Sequence, residues 1–286
     1  MSVSKSEMST RSAILWMTLV SVMWSIAGVI FKYINCNSFV IAGVRSFISA
    51  LTVLVYMLLT KKKFVINKTT ILNAFWLALT FFCFVGANKL TSSANAIVLQ
   101  YTAPVFVLLY QSFFKKLRSR LNDVICVAIT FVGILIFFFD SIGSGNIIGD
   151  IIAVISGIGF AAVFIVVGDS DETTSINGIL QGQLLTALIG IPFVFFTRNT
   201  FDTQTIGLLL ILGIVQLGIP YTIVAIAGPH CPALASTLVT VLEPLLNPVW
   251  VALIYHEIPS IWSFIGGVIV ISNVLIWCVM RDRRKA

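Results

Sequence analysis

Charged and turn-forming residues interrupt this chain every 20 to 30 positions or so, and the stretches between them are almost wholly apolar. The pattern predicts ten helices, over 12–32, 39–60, 69–88, 94–114, 121–139, 147–168, 177–197, 205–227, 233–254 and 260–280. Each run approaches the roughly 20 residues that cross about 30 Å of hydrocarbon. The alternation of a membrane β-barrel is absent, since 125–139 is apolar almost throughout. Breaks fall at polar or turn-forming clusters such as Lys61-Lys-Lys, Asp169-Ser-Asp-Glu and Gly228-Pro-His-Cys-Pro.

Composition agrees with lipid as the solvent. Of 286 residues, 58% are hydrophobic and 10% charged, whereas a soluble domain carries about 25% charged residues. Ten spans consume about 200 residues, which leaves no soluble domain large enough to hold an enzyme. The first run is too long for a cleavable signal peptide and is expected to remain as helix one. Cys36, Cys83, Cys126, Cys231 and Cys278 are scattered without CxxC spacing and read as small apolar filler.

The net charge of +7 is a topology signal. With the N-terminus inside, 14 of the 18 basic residues fall on inner segments: two at the N-terminus, four around Lys61–Lys68, four in Lys115–Arg120 and four at Arg281–Lys285. Both termini are therefore expected in the cytoplasm, with the protein in the plasma (inner) membrane. Charges confined to short loops beside apolar spans exclude nucleic acid as a partner. The inner loops after spans six and eight carry no Lys or Arg. Orientation there rests on the C-terminal cluster and the even number of spans.

The chain also resembles itself. Pro104 and Pro244 are 244 − 104 = 140 residues apart, and 96–104 runs in parallel with 236–244. Gly-Ile-Leu-Ile-Phe (133–137) likewise matches Asn-Val-Leu-Ile-Trp (273–277). These matches divide the chain into 1–140 and 141–286, two five-helix copies within one membrane domain. Five is odd, so the copies enter the membrane in opposite directions. The predicted fold is all-α, an integral membrane protein of ten transmembrane helices in two inverted repeats. That architecture supports alternating access, with the substrate between the copies.

Polar residues inside apolar helices mark candidate site faces. In span nine, Ser236, Thr240, Glu243 and Asn247 recur at helical spacing, with Glu243 near mid-span. Glu243 reads as a substrate-amine or proton site, or else as a structural hydrogen bond between helices. Pro244 and Pro248 free the carbonyls of Thr240 and Pro244, and Pro104 frees that of Gln100, either as ligands or as simple kinks. Span four repeats the stripe through Ser93, Ala96, Gln100 and Ala103, with Gln100 the repeat partner of Thr240. Span one offers Ser21, Ser25, Gly28 and Lys32, which could equally serve close helix packing. Ser156, Gln216 and Pro220 could complete the lining.

Trp24, Tyr101, Phe160 and Tyr221 neighbour these stripes and are the aromatic candidates, each with core packing as its alternative. Arg45, about two turns into span two, is expected to snorkel to the outer headgroups, the alternative being a substrate carboxylate. Lys32 and Lys89 lie near outer span ends, and His230 with Cys231 does not make a metal site.

Taken together, the chain resembles the EamA-type ten-helix members of the drug/metabolite transporter superfamily. The likeness is carried by Ala-Leu-Ala-Ser-Thr-Leu-Val-Thr-Val-Leu-Glu-Pro-Leu-Leu-Asn-Pro (233–248), Glu257, Gly266-Gly267 and Tyr101-Thr-Ala-Pro-Val-Phe. Trp24-Ser25, Lys32 and Arg45 add to it. It covers nearly the whole chain. One departure is Lys115-Lys116, where the family commonly has an acidic residue after helix four. The resemblance implies export, and sometimes import, of amino acids and other small metabolites.

The expectation is thus a secondary-active or facilitative transporter of an amino acid or amine-like metabolite, working by export, with import of a quaternary amine or other nutrient as the alternative. A membrane-embedded enzyme is the different-class alternative, but GxSxG and HExxH are absent. A channel would show a selectivity filter or charged ring. Cofactors are expected to be none, with proton coupling an option at Glu243. The expected partners are a small-molecule substrate and the lipid bilayer, with the protein a monomer or homodimer. The candidate substrate-binding set is Trp24, Ser25, Gln100, Tyr101, Phe160, Gln216, Tyr221, Thr240, Glu243 and Asn247.

Overall fold

The computed structural model describes residues 8–26, 30, 33–91, 93–117, 120–139, 146–255 and 260–283. Gly28, Lys32, His256 and Glu257 lie outside this set, as do the side chains of Lys89, Ser93, Asn247 and Pro248. The α-helices are α1 (Thr10–Ser25), α2 (Ser38–Leu59), α3 (Lys68–Leu90), α4 (Ser93–Gln100), α5 (Ala103–Phe113), α6 (Leu121–Phe137) and α7 (Ile147–Gly168). They continue as α8 (Glu172–Gly190), α9 (Thr203–Ile211), α10 (Ile219–Ala227), α11 (Ala233–Val239), α12 (Leu242–Tyr255) and α13 (Ile261–Arg283). Three passes hold two helices each (α4–α5, α9–α10 and α11–α12), so these thirteen helices make ten passes. Among the described residues, seven passes are long and apolar enough to cross a membrane on that basis alone. The fold is a ten-span, all-α membrane fold of two inverted five-helix repeats.

Polar caps fix where the spans begin. Ser9, Asn37, Asn67, Asn146, Asp171 and Asp202 each accept a backbone N–H of the following first turn. Asn67 and Thr70 form a reciprocal capping box. Asp171 explains why α8 starts at Glu172, five residues before the expected 177. At the other end of α2, Lys61 takes a left-handed φ of 54°. The amide of Lys62 there bonds the Met57 carbonyl at 2.9 Å, closing the helix in a Schellman turn.

Four spans depart from straight helices. Spans four and nine break at 101–102 and 240–241, within one residue of the 140-residue offset (240 − 101 = 139). Pro104 and Pro244 follow both breaks and have no N–H for the preceding turn. Three-residue turns bridge the gaps, Thr102 N–H to Leu99 at 3.3 Å and Val241 N–H to Leu238 at 3.3 Å. Span eight contains a π-helical segment, Leu212–Gly218, between α9 and α10. Pro192 turns the end of span seven into a short 3₁₀ stretch, Ile191–Phe195.

Close helix approaches depend on a few glycines. Cβ atoms at Gly43 and Gly190 would each meet the other's backbone, so α2 and α8 cross in direct contact. The π segment lies flush on α2, where a Cβ at Gly213 would strike Ile48 and one at Gly218 would strike Thr52. Helices α6 and α13, the last of each copy, pair through Gly133 and Gly266. Polar bonds reinforce that pair: Asn273 donates to Cys126 and Thr130, and Trp277 donates to Asp123. Leu15, Leu58, Phe113, Phe195, Phe264 and Leu275 are exposed, as residues facing lipid must be.

One end of the bundle is tied by charge. Lys62 meets Glu172 at 2.7 Å, Lys115 meets Asp169 at 2.5 Å, and His230 Nε2 lies 3.5 Å from Glu172. The loops after spans two, four, six and eight therefore share one end. The two loops without Lys or Arg are those that carry the acids or His230.

Candidate functional site

The breaks decide what the span centres present. Where α11 stops, the Val239 carbonyl receives the Ser21 hydroxyl of α1 at 3.2 Å, and the Thr240 carbonyl receives the Glu243 N–H at 3.0 Å. Glu243 thus sits in the first turn of α12, at the positive end of a helix dipole and not within a continuous helix. Its Oε2 accepts the Tyr101 hydroxyl at 2.7 Å, joining the break in span nine to the break in span four. The third side of span four's break is Gly157 of α7, where a Cβ would lie 2.8 Å from the Gln100 carbonyl.

From Tyr101 an aromatic wall continues. Tyr101 meets Phe160 edge-on with centroids 6.0 Å apart, Phe160 lies 6.0 Å from Trp24, and Trp24 lies 5.1 Å from Tyr221. Tyr221 meets Phe81 edge-on at 5.7 Å, and the Arg45 guanidinium lies over the Phe81 ring at 5.7 Å. Arg45 Nη1 donates to Gln216 Oε1 at 3.3 Å. The guanidinium and the Glu243 carboxylate are within Coulombic reach of each other. Among the described residues, the buried Trp24 indole N–H has no acceptor.

Arg45 corrects the sequence expectation. It does not snorkel outward: only 6% of it is exposed. The π segment carries Gln216 onto α2 beside it, supplying a neutral acceptor where an isolated guanidinium in a membrane core would be costly. Phe81 is a lining residue that a search for polar stripes passes over, because it is itself apolar. The repeat does mark it: 81 + 140 = 221, so Phe81 is the counterpart of Tyr221. By the same offset Trp24 corresponds to Phe164, which packs edge-on to Phe160 at 4.9 Å.

The other sequence candidates occupy the margins. Gln100 donates to Ser156 at 3.0 Å, and Ser156 donates to the Thr80 carbonyl, tying spans four, six and three. Ser25 accepts the Trp250 indole N–H at 2.7 Å. Thr240 is fully buried, with its hydroxyl turned back to the Thr237 carbonyl. The break at 240–241 falls between Thr240 and Glu243 and so interrupts the helix that carries the stripe, while the side chain of Asn247 lies outside the described residues. Pro220 begins α10 and is buried.

Among the described residues, the site therefore offers a cation, a carboxylate and an aromatic wall between them. Each end can answer a charge of opposite sign on the same small molecule.

The EamA-like transporter family profile matches the chain twice, over residues 11–139 and 147–278. An uncharacterized transporter of Archaeoglobus fulgidus is 24% identical over 198 residues, covering 66% of this chain and 68% of the relative. One solved crystal structure of a protein matches with a TM-score of 0.82 at 16% identity, over 97% of this chain and 100% of that one.

Proposed function

The chain belongs to the EamA-like transporter family, and we propose that its cargo is a small zwitterionic metabolite, an amino acid foremost, moved by alternating access. The carrying observation is the pairing of buried Arg45, held by Gln216, with Glu243, held by Tyr101. A substrate carboxylate takes the guanidinium fork, and the ammonium group takes the Glu243 carboxylate. Trp24, Phe81, Phe160 and Tyr221 enclose the carbon skeleton. The Trp24 N–H is a further donor for the carboxylate.

In this reading the copies 1–140 and 141–286 rock about the two broken spans, a monomer suffices, and both termini face the cytoplasm from the plasma membrane. Export is the favoured direction. Glu243 also serves as the proton-coupling group when the substrate leaves. A quaternary amine imported as a nutrient is the second reading. The aromatic wall favours it, but Arg45 does not, since such a cation gains nothing from a buried guanidinium unless it also bears an acid.

The test uses purified protein in proteoliposomes with amino acids and quaternary amines as cargo. Glu243→Gln is expected to abolish the dependence of transport on pH between about pH 5.5 and about pH 8, with folded yield unchanged. Equal pH dependence in wild type and variant sinks the proton role. Uptake of carboxyl-free amines at the amino-acid rate sinks the zwitterion reading.

A further inference from the structure

Toward the basic end from Arg45, the packed helices α2 and α8 carry three buried polar side chains in addition to Thr186. Ser46, Ser49 and Gln183 are each 0% exposed. Among the described residues, neither serine hydroxyl has a partner, nor does either polar atom of the Gln183 amide. Helix register places them at one level of the bundle. Gly43 meets Gly190 where α2 and α8 cross, and the helices run antiparallel as out-going and in-going passes. Seven residues along each chain from that contact come Ala50 and Gln183, with Ser46 and Ser49 within one turn of Ala50 on α2. Ser49 follows Arg45 by four residues and so lies below it on the same helix face.

Orphaned groups of this kind are expensive in a membrane core, where no solvent compensates them. Thr186 on the same helix shows the usual local remedy, its hydroxyl donating to the Gly182 carbonyl at 2.8 Å. Neither serine uses it. The three groups together offer two hydroxyls and one amide, able both to donate and to accept, and no formal charge. A charged group would not be answered there, and an apolar one would leave all three unsatisfied.

We infer that the α2–α8 seam is a second polar subsite beneath Arg45, which takes a neutral hydrogen-bonding group through Ser46, Ser49 and Gln183. Two sources have this chemistry: bound water, or the hydroxyl or amide of a substrate side chain whose carboxylate is on Arg45. The second source rests on the proposed function; the first does not.

The experiment measures the melting temperature and ligand competition of full-length, purified Gln183→Leu and Ser49→Ala beside wild type. Occupied by either source, the subsite loses hydrogen bonds in both variants, and the melting temperature falls by about 2–4 °C. A rise of that size in both variants overturns the inference, because removing unpartnered polar groups from a dry seam relieves desolvation. This arm needs no knowledge of the cargo. The competition arm compares glutamine and serine with leucine and valine. If the occupant is a substrate side chain, Gln183→Leu weakens glutamine and serine by about tenfold while leaving leucine and valine unchanged. Equal affinities across the set, with a lowered melting temperature, assign the subsite to water. Failure of every amino acid to bind wild type refutes the zwitterion reading and leaves the melting arm to decide the seam.

Discussion

Arg45 is stable inside the bundle because three kinds of partner converge on it: an amide oxygen, an aromatic face and a distant carboxylate. Lysine would keep the charge but lose the planar fork. Arg45→Lys is therefore expected to fold while losing about 10- to 100-fold in apparent affinity for carboxylate cargo, the equivalent of about 1.5–3 kcal/mol for a charged hydrogen bond. Competition binding measures it, and an unaltered affinity removes Arg45 from the site. The sequence could not decide its direction, since distance from a span end leaves the helix face open. Ser49 at i+4 was the available clue. Glu243 was more legible, because an acid at mid-span has few uses in lipid.

Asp171 poses a different question at the same scale. Partial burial works against its charge, but the hydroxyl and amide of Thr174 and the amide of Thr173 hold its carboxyl below the usual range. A depressed carboxyl contributes stability that is present above its unfolded value and lost as pH falls through the folded one. Asp171→Ala is thus expected to cost about 1 kcal/mol at neutral pH, with the difference from wild type shrinking as pH falls through the depressed folded value of the carboxyl. Thermal unfolding across pH reads both.

At the scale of elements, the spans themselves were written in the apolar runs, whereas their interruptions were not. A break at 101–102 or 240–241 leaves the run of apolar residues intact, so periodicity passes over it. Proline marks the place but is equally compatible with a kink. The π segment was marked only by Gln216 within 212–218 and by Pro220 beyond it, whose missing N–H deprives the Gln216 carbonyl of its helical donor, and Gly213 and Gly218 fit the segment against α2. Pro244→Ala restores an N–H for the Thr240 carbonyl. It is expected to raise stability by between about 1 and about 3 kcal/mol while slowing transport. Faster or unchanged flux in proteoliposomes would show that the break is not a hinge. Gly43→Val tests packing instead: its side chain would lie 2.6 Å from the backbone of Gly190 and Ile191. A loss of about 1–3 kcal/mol in thermal stability is the expected result.

For the molecule as a whole, ten passes and two opposed copies were legible, because lipid imposes one simple rule on every span. The cross-links between copies were not, since pairs such as Tyr101–Glu243 and Lys62–Glu172 join residues more than a hundred positions apart. The charged end contributes little free energy. Lys62→Gln is expected to cost no more than about 1 kcal/mol, with the difference disappearing in high salt. A larger, salt-insensitive loss would mean the pair is buried during the transport cycle.

That end has a further consequence, for how the chain is made. Asp169, Asp171 and Glu172 offer the insertion machinery no positive charge to retain. By the time they leave the ribosome, Lys62 and Lys115 are already there as tethers. A first half synthesised alone carries its own address, whereas a second half beginning at residue 146 has none until Arg281–Lys285 emerges. Its newborn helices would insert in both orientations unless the first half were present to capture them.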